Sequence, residues 1–293
     1  MDDKPKLGYL GLGLMGSQMT KRLVDNGYRV TGFDPDTEKL VAAKANGVVV
    51  VASAAEVTRA SDIVQACVVT TPALAEAVFG TDGVVEGGAE GKVFLDHSTT
   101  IADKTRDMAR RLKEQTGMGW VDAPVSGGPP AAGTGGLAIM VGGEEADVER
   151  VKPILDTLGN NTHMGPLGAG QVTKMVNQVL VLNNFCVLAE AVTLAKNAGI
   201  DPAKVPEALS GGYADSPMFR QFFPRLIERD FAPAGYARQV LKDLDMVVDL
   251  AQQTKTPVPM SSLSTSLYRM LVAKGYSELD AVSILKIYDD EPI

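Results

Sequence analysis

The chain has 293 residues, of which 45% are hydrophobic and 22% charged, and its formal net charge is −8 at pH 7. A chain of this length can form one large domain or two ordinary ones, and its mean hydropathy close to zero excludes fibrous and largely disordered proteins. The acidic surface argues against nucleic acid and anionic membranes as partners, because both would repel it.

Short β-branched runs alternate with helical patterns from the N-terminus to about residue 165. Strands are predicted over 6–11, 28–33, 48–51, 63–69, 92–98, 119–123 and 137–143. Helices are predicted over 15–26, 37–46, 101–115 and 144–158. This alternation predicts an α/β fold with a doubly wound, mostly parallel sheet that carries helices on both faces.

The pattern changes after about residue 165. From Gln171 onward the apolar residues recur at helical spacing, and no clear strand pattern is visible. One continuous helix is predicted over about 170–197, followed by about four more that are interrupted at 210–217, 230–235 and 256–259. We therefore predict two domains, an α/β domain over 1–165 and an all-α domain over 166–293, joined by the long helix.

A glycine motif lies between the first strand and the first helix, in LGLGLMGSQM. In this context the glycines bring backbone N–H groups and a helix N-terminus close to a pyrophosphate, although a purely structural turn is the alternative. The motif predicts a Rossmann-type dinucleotide-binding domain. Its cofactor-binding residues are predicted to be Gly11, Leu12, Gly13, Leu14, Met15 and Gly16.

Asp34 follows the second strand, 23 residues after Gly11. Its carboxylate can accept hydrogen bonds from both hydroxyls of the adenosine ribose and would repel a 2′-phosphate. The next residues, Pro35 and Asp36, supply no arginine for such a phosphate. The sequence therefore favours NAD over NADP.

The stretch 121-VDAPVSGGPPAAGTGG is rich in Gly and Pro and contains a single serine. Glycine brings no side chain to bury, but it leaves backbone N–H groups that a small anion can approach. An ordinary connector between strands is the alternative. The stretch is thus a candidate anion-binding loop.

The long helix carries polar residues in line on an otherwise apolar background. Lys174, Asn177, Val181 and Asn184 are spaced three, four and three residues apart, which places them on one helix face. A solvent-exposed polar stripe is the alternative to a face that lines a cleft. The apolar residues around the rest of the helix favour the cleft.

Six segments in chain order resemble the signatures of the β-hydroxyacid dehydrogenases, the family of 3-hydroxyisobutyrate dehydrogenase and tartronate semialdehyde reductase. These segments are LGLGLMGSQMTKRL, 95-LDHSTT, 122-DAPVSGG, 168-GAGQVTKMVNQ, 242-KDL and 273-AKGYSELD. The resemblance extends from about residue 7 to about residue 287. It implies reversible hydride transfer between a nicotinamide cofactor and a short 3-hydroxy acid or semialdehyde.

The resemblance also implies roles for individual residues. Lys174 corresponds to the general acid/base of the family, and Asn177 to its supporting amide. The carboxylate of the substrate is expected on Ser126, Gly127 and Gly128. Further contacts to the cofactor are expected from Thr99 and from the backbone of Val68 and Val69, and Lys242 is expected to contact both cofactor and substrate.

The chain departs from the family pattern at several positions. Gln178 stands where a second Asn is frequent, and Arg22 stands where the first signature usually has Asn. Cys67-Val68-Val69 replaces a Met-Leu-Pro-like segment, which leaves main-chain contacts to the cofactor there. Gly235, followed by Tyr236, occupies a position where many members carry Phe, and this changes the wall expected around the substrate.

Three alternatives remain open at this stage. One is an NADPH-using semialdehyde or imine reductase of the same fold, and another is a protein that senses NAD(H) without catalysis. Retention of both Lys174 and the DAPVSGG loop disfavours these two. Oxidative decarboxylation, as in 6-phosphogluconate-type relatives, is disfavoured because no extra basic cluster is visible for a substrate phosphate.

The remaining expectations concern location and assembly. The first residues lack the pattern of a secretion signal, and no continuous apolar run approaches a membrane span, so we predict a cytoplasmic protein. Cys67 and Cys186 lie in apolar contexts and are predicted to be buried free thiols, and with His97 and His163 they form no metal-ligand pattern. The long apolar helix favours a homodimer or homotetramer.

Overall fold

The computed structural model describes residues 4–289 and divides into two compact units. The first unit extends to Lys174 and the second begins at Met175. The division therefore falls inside the long helix, nine residues after the boundary that the sequence suggests.

The first unit is built on one sheet of nine strands. They are β1 (Leu7–Leu10), β2 (Val30–Phe33), β3 (Val49–Val50), β4 (Ile63–Ala66), β5 (Val93–Asp96), β6 (Gly119–Asp122), β7 (Val125–Ser126), β8 (Leu137–Gly143) and β9 (Gly159–Gly165). Their order is β3-β2-β1-β4-β5-β6-β8-β7, with β9 beside β8. Strands β1 to β6 are parallel, β8 is antiparallel to β6 and β7, and β9 is parallel to β8. The predicted mostly parallel sheet is confirmed.

Helices cover both faces of this sheet. They are α1 (Leu14–Asp25), α2 (Thr37–Ala45), α3 (Ala54–Arg59), α4 (Thr71–Phe79), α5 (Val84–Gly87), α6 (Ala102–Thr116), α7 (Gly128–Thr134) and α8 (Glu145–Leu158). Val93 and Leu95 pack into one hydrophobic cluster, whereas Phe94 between them packs into the other. Because side chains alternate along a strand, this division shows that both faces are buried.

The sheet order changes direction between β1 and β4. The chain leaves β1 toward β2 on one side, whereas β5 follows β4 on the other side. In open α/β sheets this switch point, at the carboxyl ends of the strands, is where ligands bind. The glycine motif follows β1 and Cys67 follows β4, so both lie at this edge.

The second unit is helical. Its elements are α9 (Ala169–Asn197), which begins in the first unit, α10 (Val205–Ala208), α11 (Pro217–Glu228), α12 (Ala237–Thr254) and α13 (Pro259–Ala273), with 3-10 helices at Pro202–Lys204 and Ala281–Ile287. Fully buried Phe223, Tyr268 and Leu285 belong to one core cluster. The predicted order, a Rossmann-type domain followed by an all-α domain, is confirmed.

Helix α9 corrects one expectation from the sequence. By length and composition it could cross a membrane, because uncharged Asn, Gln and Thr interrupt its apolar run without adding charge. About 44% of its most apolar segment is buried inside the protein. Leu182, Phe185 and Leu188 of this helix belong to the core of the second unit. A core helix passes the same composition test as a membrane span, and α9 packs as a core helix.

Candidate active site

The glycines of the first motif meet different surroundings. A Cβ atom on Gly11, whose φ is +87°, would lie 2.4 Å from the carbonyl oxygen of Cys67. A Cβ atom on Gly16 would lie 1.9 Å from the carbonyl oxygen of Gly11. A Cβ atom on Gly13 would meet no protein atom within 4 Å. Packing therefore explains why glycine is required at Gly11 and Gly16, but it does not explain glycine at Gly13.

Helix α1 begins directly after Gly13 without a side-chain cap. Gly13 is its N-cap residue, no side chain accepts a hydrogen bond from the first turn, and that turn contains no acidic residue. The first N–H groups of a helix have no acceptor within the helix and attract anions. Open space at Gly13 beside these donors fits the pyrophosphate of a dinucleotide.

Asp34 lies at the end of β2 and is 95% buried. Its Oδ2 accepts from the N–H of Leu12 at 2.8 Å, and its Oδ1 accepts from the N–H of Asp36 at 3.0 Å. Each carboxylate oxygen has further acceptor capacity, which suits a ribose diol. Lys39, on α2, places its Nζ 3.6 Å from Oδ1 of Asp34 and 3.3 Å from Oδ2 of Asp36. Lys39 is a cation near Asp34 that no local sequence pattern predicts.

The predicted contacts after β4 and β5 lie at the same edge of the sheet. Val68 donates its backbone N–H to Oγ of Ser98 at 2.9 Å, so its main-chain donor is already used. Val69 is 54% exposed and Thr99 is half-buried. A cofactor can therefore contact the carbonyl groups and the side chains along this edge of the sheet.

The DAPVSGG segment forms a strand and then a sharp turn. Ser126 ends β7, where it pairs with Ala138 of β8. Gly127 and Gly128 have φ angles of +130° and +71°, in a region of backbone conformation that residues other than glycine rarely adopt. A Cβ atom on Gly128 would have only Pro130 as a neighbour, at 3.8 Å. The backbone after Ser126 is therefore open on one side.

Lys174 is buried on α9, with 7% of its surface exposed. Its Nζ donates to the carbonyl oxygen of Val125 at 2.8 Å. Val125 directly precedes Ser126, so the structure brings the predicted acid/base next to the predicted carboxylate-binding segment. A buried amino group with a defined hydrogen-bond partner is held in a fixed position.

Within the second unit, the remaining predicted residues form a hydrogen-bonded chain. Asn177 donates its side-chain amide to Oε1 of Gln178 at 2.8 Å, and Gln178 donates to Oδ2 of Asp243. Nζ of Lys242 lies 2.9 Å from Oδ1 of Asp243. Gln178, a departure from the family pattern, thus connects Asn177 to the KDL segment.

A second polar network in the first unit could not be found from the sequence. Asp96, Asp122 and Gln171 are fully buried and connect β5 and β6 to the start of α9. Their identities are visible inside the LDHSTT, DAPVSGG and GAGQ segments, but their contacts join residues up to 73 positions apart. Over residues 4–289 no group of three His, Cys, Asp or Glu side chains could hold a metal ion.

His97 directly follows Asp96 of this polar network, and its imidazole is neutral. Burial lowers its pKa from 6.5 to about 4. Its ring nitrogens lie 2.9 Å from the carbonyl oxygen of Ala123 and 3.2 Å from Oε1 of Gln65. A neutral imidazole has one N–H, so one of its ring nitrogens donates and the other accepts.

These features define a class of protein. The first unit has a Rossmann-type sheet with an open phosphate-binding turn and an acid after its second strand. A buried lysine lies on the helix that leads into the all-α domain. Together these features are typical of a nicotinamide-dependent dehydrogenase.

Comparison with known families agrees with this class. Residues 6–168 match the model for the NAD-binding domain of 6-phosphogluconate dehydrogenase. Residues 168–288 match the model described as NAD-binding of NADP-dependent 3-hydroxyisobutyrate dehydrogenase.

Full-length relatives support the same assignment. The chain is 37% identical to 2-hydroxy-3-oxopropionate reductase of Escherichia coli over 96% of both chains. It superimposes on a 3-hydroxyisobutyrate dehydrogenase from Salmonella typhimurium with a TM-score of 0.90 at 28% identity, covering 97% of this chain and all of the other. A Mycobacterium tuberculosis 3-hydroxyisobutyrate dehydrogenase, solved with L-serine, gives a TM-score of 0.84 at 29% identity over 96% and 98% of the two chains.

The chain belongs to the β-hydroxyacid dehydrogenase family. It is an NAD(P)-dependent oxidoreductase of the class that acts on the CH–OH group of hydroxy acids.

Proposed function

We propose that the protein catalyses reversible hydride transfer between NAD and a short 3-hydroxy acid, with Lys174 as general acid and base. The observation that carries the proposal is the 2.8 Å hydrogen bond from Nζ of Lys174 to the carbonyl oxygen of Val125. It supports a proton donor fixed beside Ser126, at the distance of one residue from the group that would hold the substrate carboxylate.

The bound nicotinamide supplies the hydride acceptor, and the residues of the chain position the substrate and move one proton. In oxidation, Nζ of Lys174 takes the proton of the substrate hydroxyl, and in reduction it returns a proton to the carbonyl oxygen. Neutral Nζ is the form that accepts the proton: one of its N–H groups donates to the carbonyl oxygen of Val125, and its lone pair takes the proton of the hydroxyl. Asn177 holds the reacting oxygen in line.

The substrate carboxylate is assigned to the open side of the Ser126–Gly128 turn. The Ser126 hydroxyl and the backbone N–H groups of Gly127 and Gly128 are the available donors. A carboxylate fixed there places a 3-hydroxyl, rather than a 2-hydroxyl, at Lys174. The relatives are consistent with this class, since 3-hydroxyisobutyrate and L-serine are 3-hydroxy acids and 2-hydroxy-3-oxopropionate carries its aldehyde at the same carbon.

The family resemblance implies that the segment around Gly235, in the second unit, bears on the substituent of the acid. A Cβ atom on Gly235 would meet no atom within 4 Å, so this segment is open where many family members carry Phe. The ring of Tyr236 is held by Arg238, whose guanidinium carbon lies 4.3 Å from the ring centroid. We therefore include aryl-substituted 3-hydroxy acids among the substrates to be tested.

The test follows absorbance at 340 nm with NAD and a panel of 3-hydroxyisobutyrate, glycerate, serine and aryl-substituted 3-hydroxy acids. Lys174→Met should lower kcat by at least about a hundredfold with the best substrate, because a positioned acid or base contributes about 10²–10⁴-fold. Lys196→Met, a lysine near the far end of the same helix, is the matched control and should retain full activity. If folded Lys174→Met keeps a tenth of the turnover, Lys174 is not the acid/base.

We also propose NAD rather than NADP as the cofactor. Asp34, buried and fixed by two backbone N–H groups, would face a 2′-phosphate with its negative charge. Lys39 is shared between Asp34 and Asp36, so two carboxylates outweigh one ammonium at this position. Titration of NADH and NADPH by intrinsic fluorescence tests this preference, and tighter binding of NADPH contradicts it.

We further propose a homodimer that pairs α9 with its copy. Val176, Leu180, Val187 and Leu194 are between 48% and 71% exposed, and the last three lie seven residues apart, on one helix face. In an antiparallel pair centred on Val187, Leu180 of each copy lies opposite Leu194 of the other. A stripe that complements itself in this way fits a second copy of the chain, as a two-fold interface requires. A homotetramer would need a second surface.

A cytoplasmic location is proposed from the acidic composition and from the packing of α9 into the core of the second unit. Fractionation of the cells that produce the protein tests it, and recovery with the membranes contradicts it.

A further inference from the structure

Two carboxylates that take no part in the proposed chemistry lie side by side within the sheet. Asp96 ends β5 and Asp122 ends β6, and the two residues are register partners in these parallel strands. Both side chains are completely inaccessible to solvent. Burial of two acids costs free energy unless their oxygens find donors, so their contacts have to be accounted for.

Asp122, at the end of β6, accepts hydrogen bonds from backbone N–H groups at the start of α9 and so caps this helix. Its Oδ1 accepts from the N–H of Gly168 at 2.7 Å, and its Oδ2 accepts from the N–H of Gln171 at 2.8 Å. These N–H groups lie at the start of α9, where a helix has no acceptors of its own. A Cβ atom on Gly170 would lie 2.8 Å from Oδ2 of Asp122, so the first turn of the helix rests directly on the carboxylate.

Gln171 ties the same helical turn to the loop after β5. Its Oε1 accepts from the N–H of Thr100 at 2.9 Å, and its Nε2 donates to the carbonyl oxygen of Ser98 at 2.8 Å. The two contacts enclose Thr99, the residue expected near the nicotinamide. The amide group of Gln171 is therefore used at both ends, and the side chain is fully buried.

One helical turn further along, Lys174 donates to the carbonyl oxygen of Val125. Val125 follows Asp122 by three residues, and Lys174 follows Gln171 by three residues. The strand segment 122–125 and the helical turn 171–174 are thus joined at both ends. We propose that Asp122 and Gln171 are positioning residues, which hold Lys174 and the Thr99 loop at a fixed separation.

The charge of Asp122 fits this role. Its carboxylate accepts one N–H bond at each oxygen, and the ionised form has no O–H that would compete with either donor. Burial raises its pKa from 3.8 to about 6, against the lowering effect of the Gly168 and Gln171 N–H groups and of Arg106. Asp96 on the neighbouring strand is the acid that faces it, and Arg106 is the nearby cation. The cap is therefore complete at neutral pH.

The inference rests on the proposed function for its catalytic readout, but it also has one that needs no substrate. Asp122→Asn presents an amide N–H to one of the two helix donors, so hydrogen–deuterium exchange over residues 168–174 should become at least about tenfold faster. NADH affinity should change by less than about threefold. Unchanged exchange in this segment would overturn the role of Asp122, whether or not the enzyme is active on the hydroxy acids tested.

The catalytic readout uses Gln171→Met, which keeps the volume and removes both hydrogen bonds. We expect kcat to fall by about 10–10²-fold with little change in KM, because small displacements of catalytic groups cost about this much. Gln65→Met is the matched control: Gln65 is an equally buried glutamine, on β4, whose Oε1 lies 3.2 Å from Nε2 of His97. An equal loss in both variants, or no loss in Gln171→Met, would overturn the proposal.

Gln171→Glu keeps the inference testable if Gln171→Met does not fold. A protonated Glu can accept from Thr100 and donate to Ser98, whereas an ionised Glu cannot donate. The ratio of its kcat to that of the wild type should therefore be highest at low pH and fall as pH rises. A ratio that does not depend on pH, in protein that is fully folded by circular dichroism, would contradict a positioning role for the Nε2 donor.

Discussion

Gly13 and Gly16 belong to one motif, but glycine is needed at the two positions for different reasons. Gly16 leaves no room for a Cβ atom, whereas Gly13 has open space and an extended backbone that alanine also adopts. Gly13→Ala should therefore unfold at the same denaturant concentration as the wild type and bind NADH at least about tenfold more weakly, because the methyl group occupies the approach of the pyrophosphate.

Gly16→Ala is the matched control, and its effect should be the reverse in kind. Contact with the carbonyl oxygen of Gly11 should lower the free energy of unfolding by about 1–3 kcal/mol. Denaturant titration and NADH fluorescence titration measure the two quantities. A Gly13→Ala protein that binds NADH as tightly as the wild type would remove the pyrophosphate from this position.

The buried acid Asp96 makes stability depend on pH. Burial and the neighbouring Asp122 raise its pKa from 3.8 to about 7, against the hydrogen bonds from Ser98 and Thr100. Since the folded state holds this proton to higher pH than the unfolded state, the stabilising contribution is present below about pH 4 and is lost as pH rises to about 7.

Asp96→Asn should remove that dependence. The unfolding free energy of the variant minus that of the wild type should therefore increase between about pH 5 and about pH 8, by up to about 3 kcal/mol. The opposite effect of His97, whose pKa is lowered, cancels in this difference. Asp156→Asn, at an exposed acid whose pKa is lowered by Asn161 and Lys152, should show no change in this range. A constant difference for Asp96→Asn would show that Asp96 is ionised throughout.

At the scale of elements, the sequence predicts those whose signals are local. The periodic helices α1, α2, α6, α8 and α9 have observed ends within one or two residues of the predicted ones. Strand β9 was missed because its GNNTHMG sequence is polar and its exposed residues show no β-branched pattern. Helix α7 was missed because its glycines and prolines are typical of loops, and here they follow the left-handed turn at Gly127 and Gly128.

The candidate site was predictable in its residue types and not in its connections. Lys174, Ser126 and the glycine motif lie in segments whose spacing and resemblance single them out. The cap from Asp122 to Gly168 and the pairing of Lys39 with Asp34 arise from folding of distant segments. No local sequence pattern specifies which buried donor meets which buried acceptor, so these contacts are visible only in the folded structure.

At the scale of the whole molecule, the exposed stripe of α9 bears on assembly. In the proposed dimer, Leu180→Glu would place a charge opposite Leu194 of the second copy and remove two leucine contacts per dimer. Loss of about 1.5–3 kcal/mol for each contact should raise the dissociation constant at least about a hundredfold.

Analytical ultracentrifugation over a range of concentrations measures this effect. Lys196→Glu, a charge change on the same helix outside the stripe, is the control and should leave the dissociation constant within about tenfold. A wild-type protein that remains monomeric at high concentration would contradict the pairing of α9, and a tetramer that survives in Leu180→Glu would locate the interface elsewhere.

In the proposed pair, a single substitution at Val187 would change which copies of the chain associate. A residue on a two-fold axis meets its own copy, so each allele that alters it alters both sides of the contact at once. Two alleles that encode Val187→Glu and Val187→Lys would each disfavour their own homodimer and favour the mixed dimer. In the proposed pair, a gene duplication followed by these two changes would therefore favour the mixed dimer of the two paralogues over either homodimer.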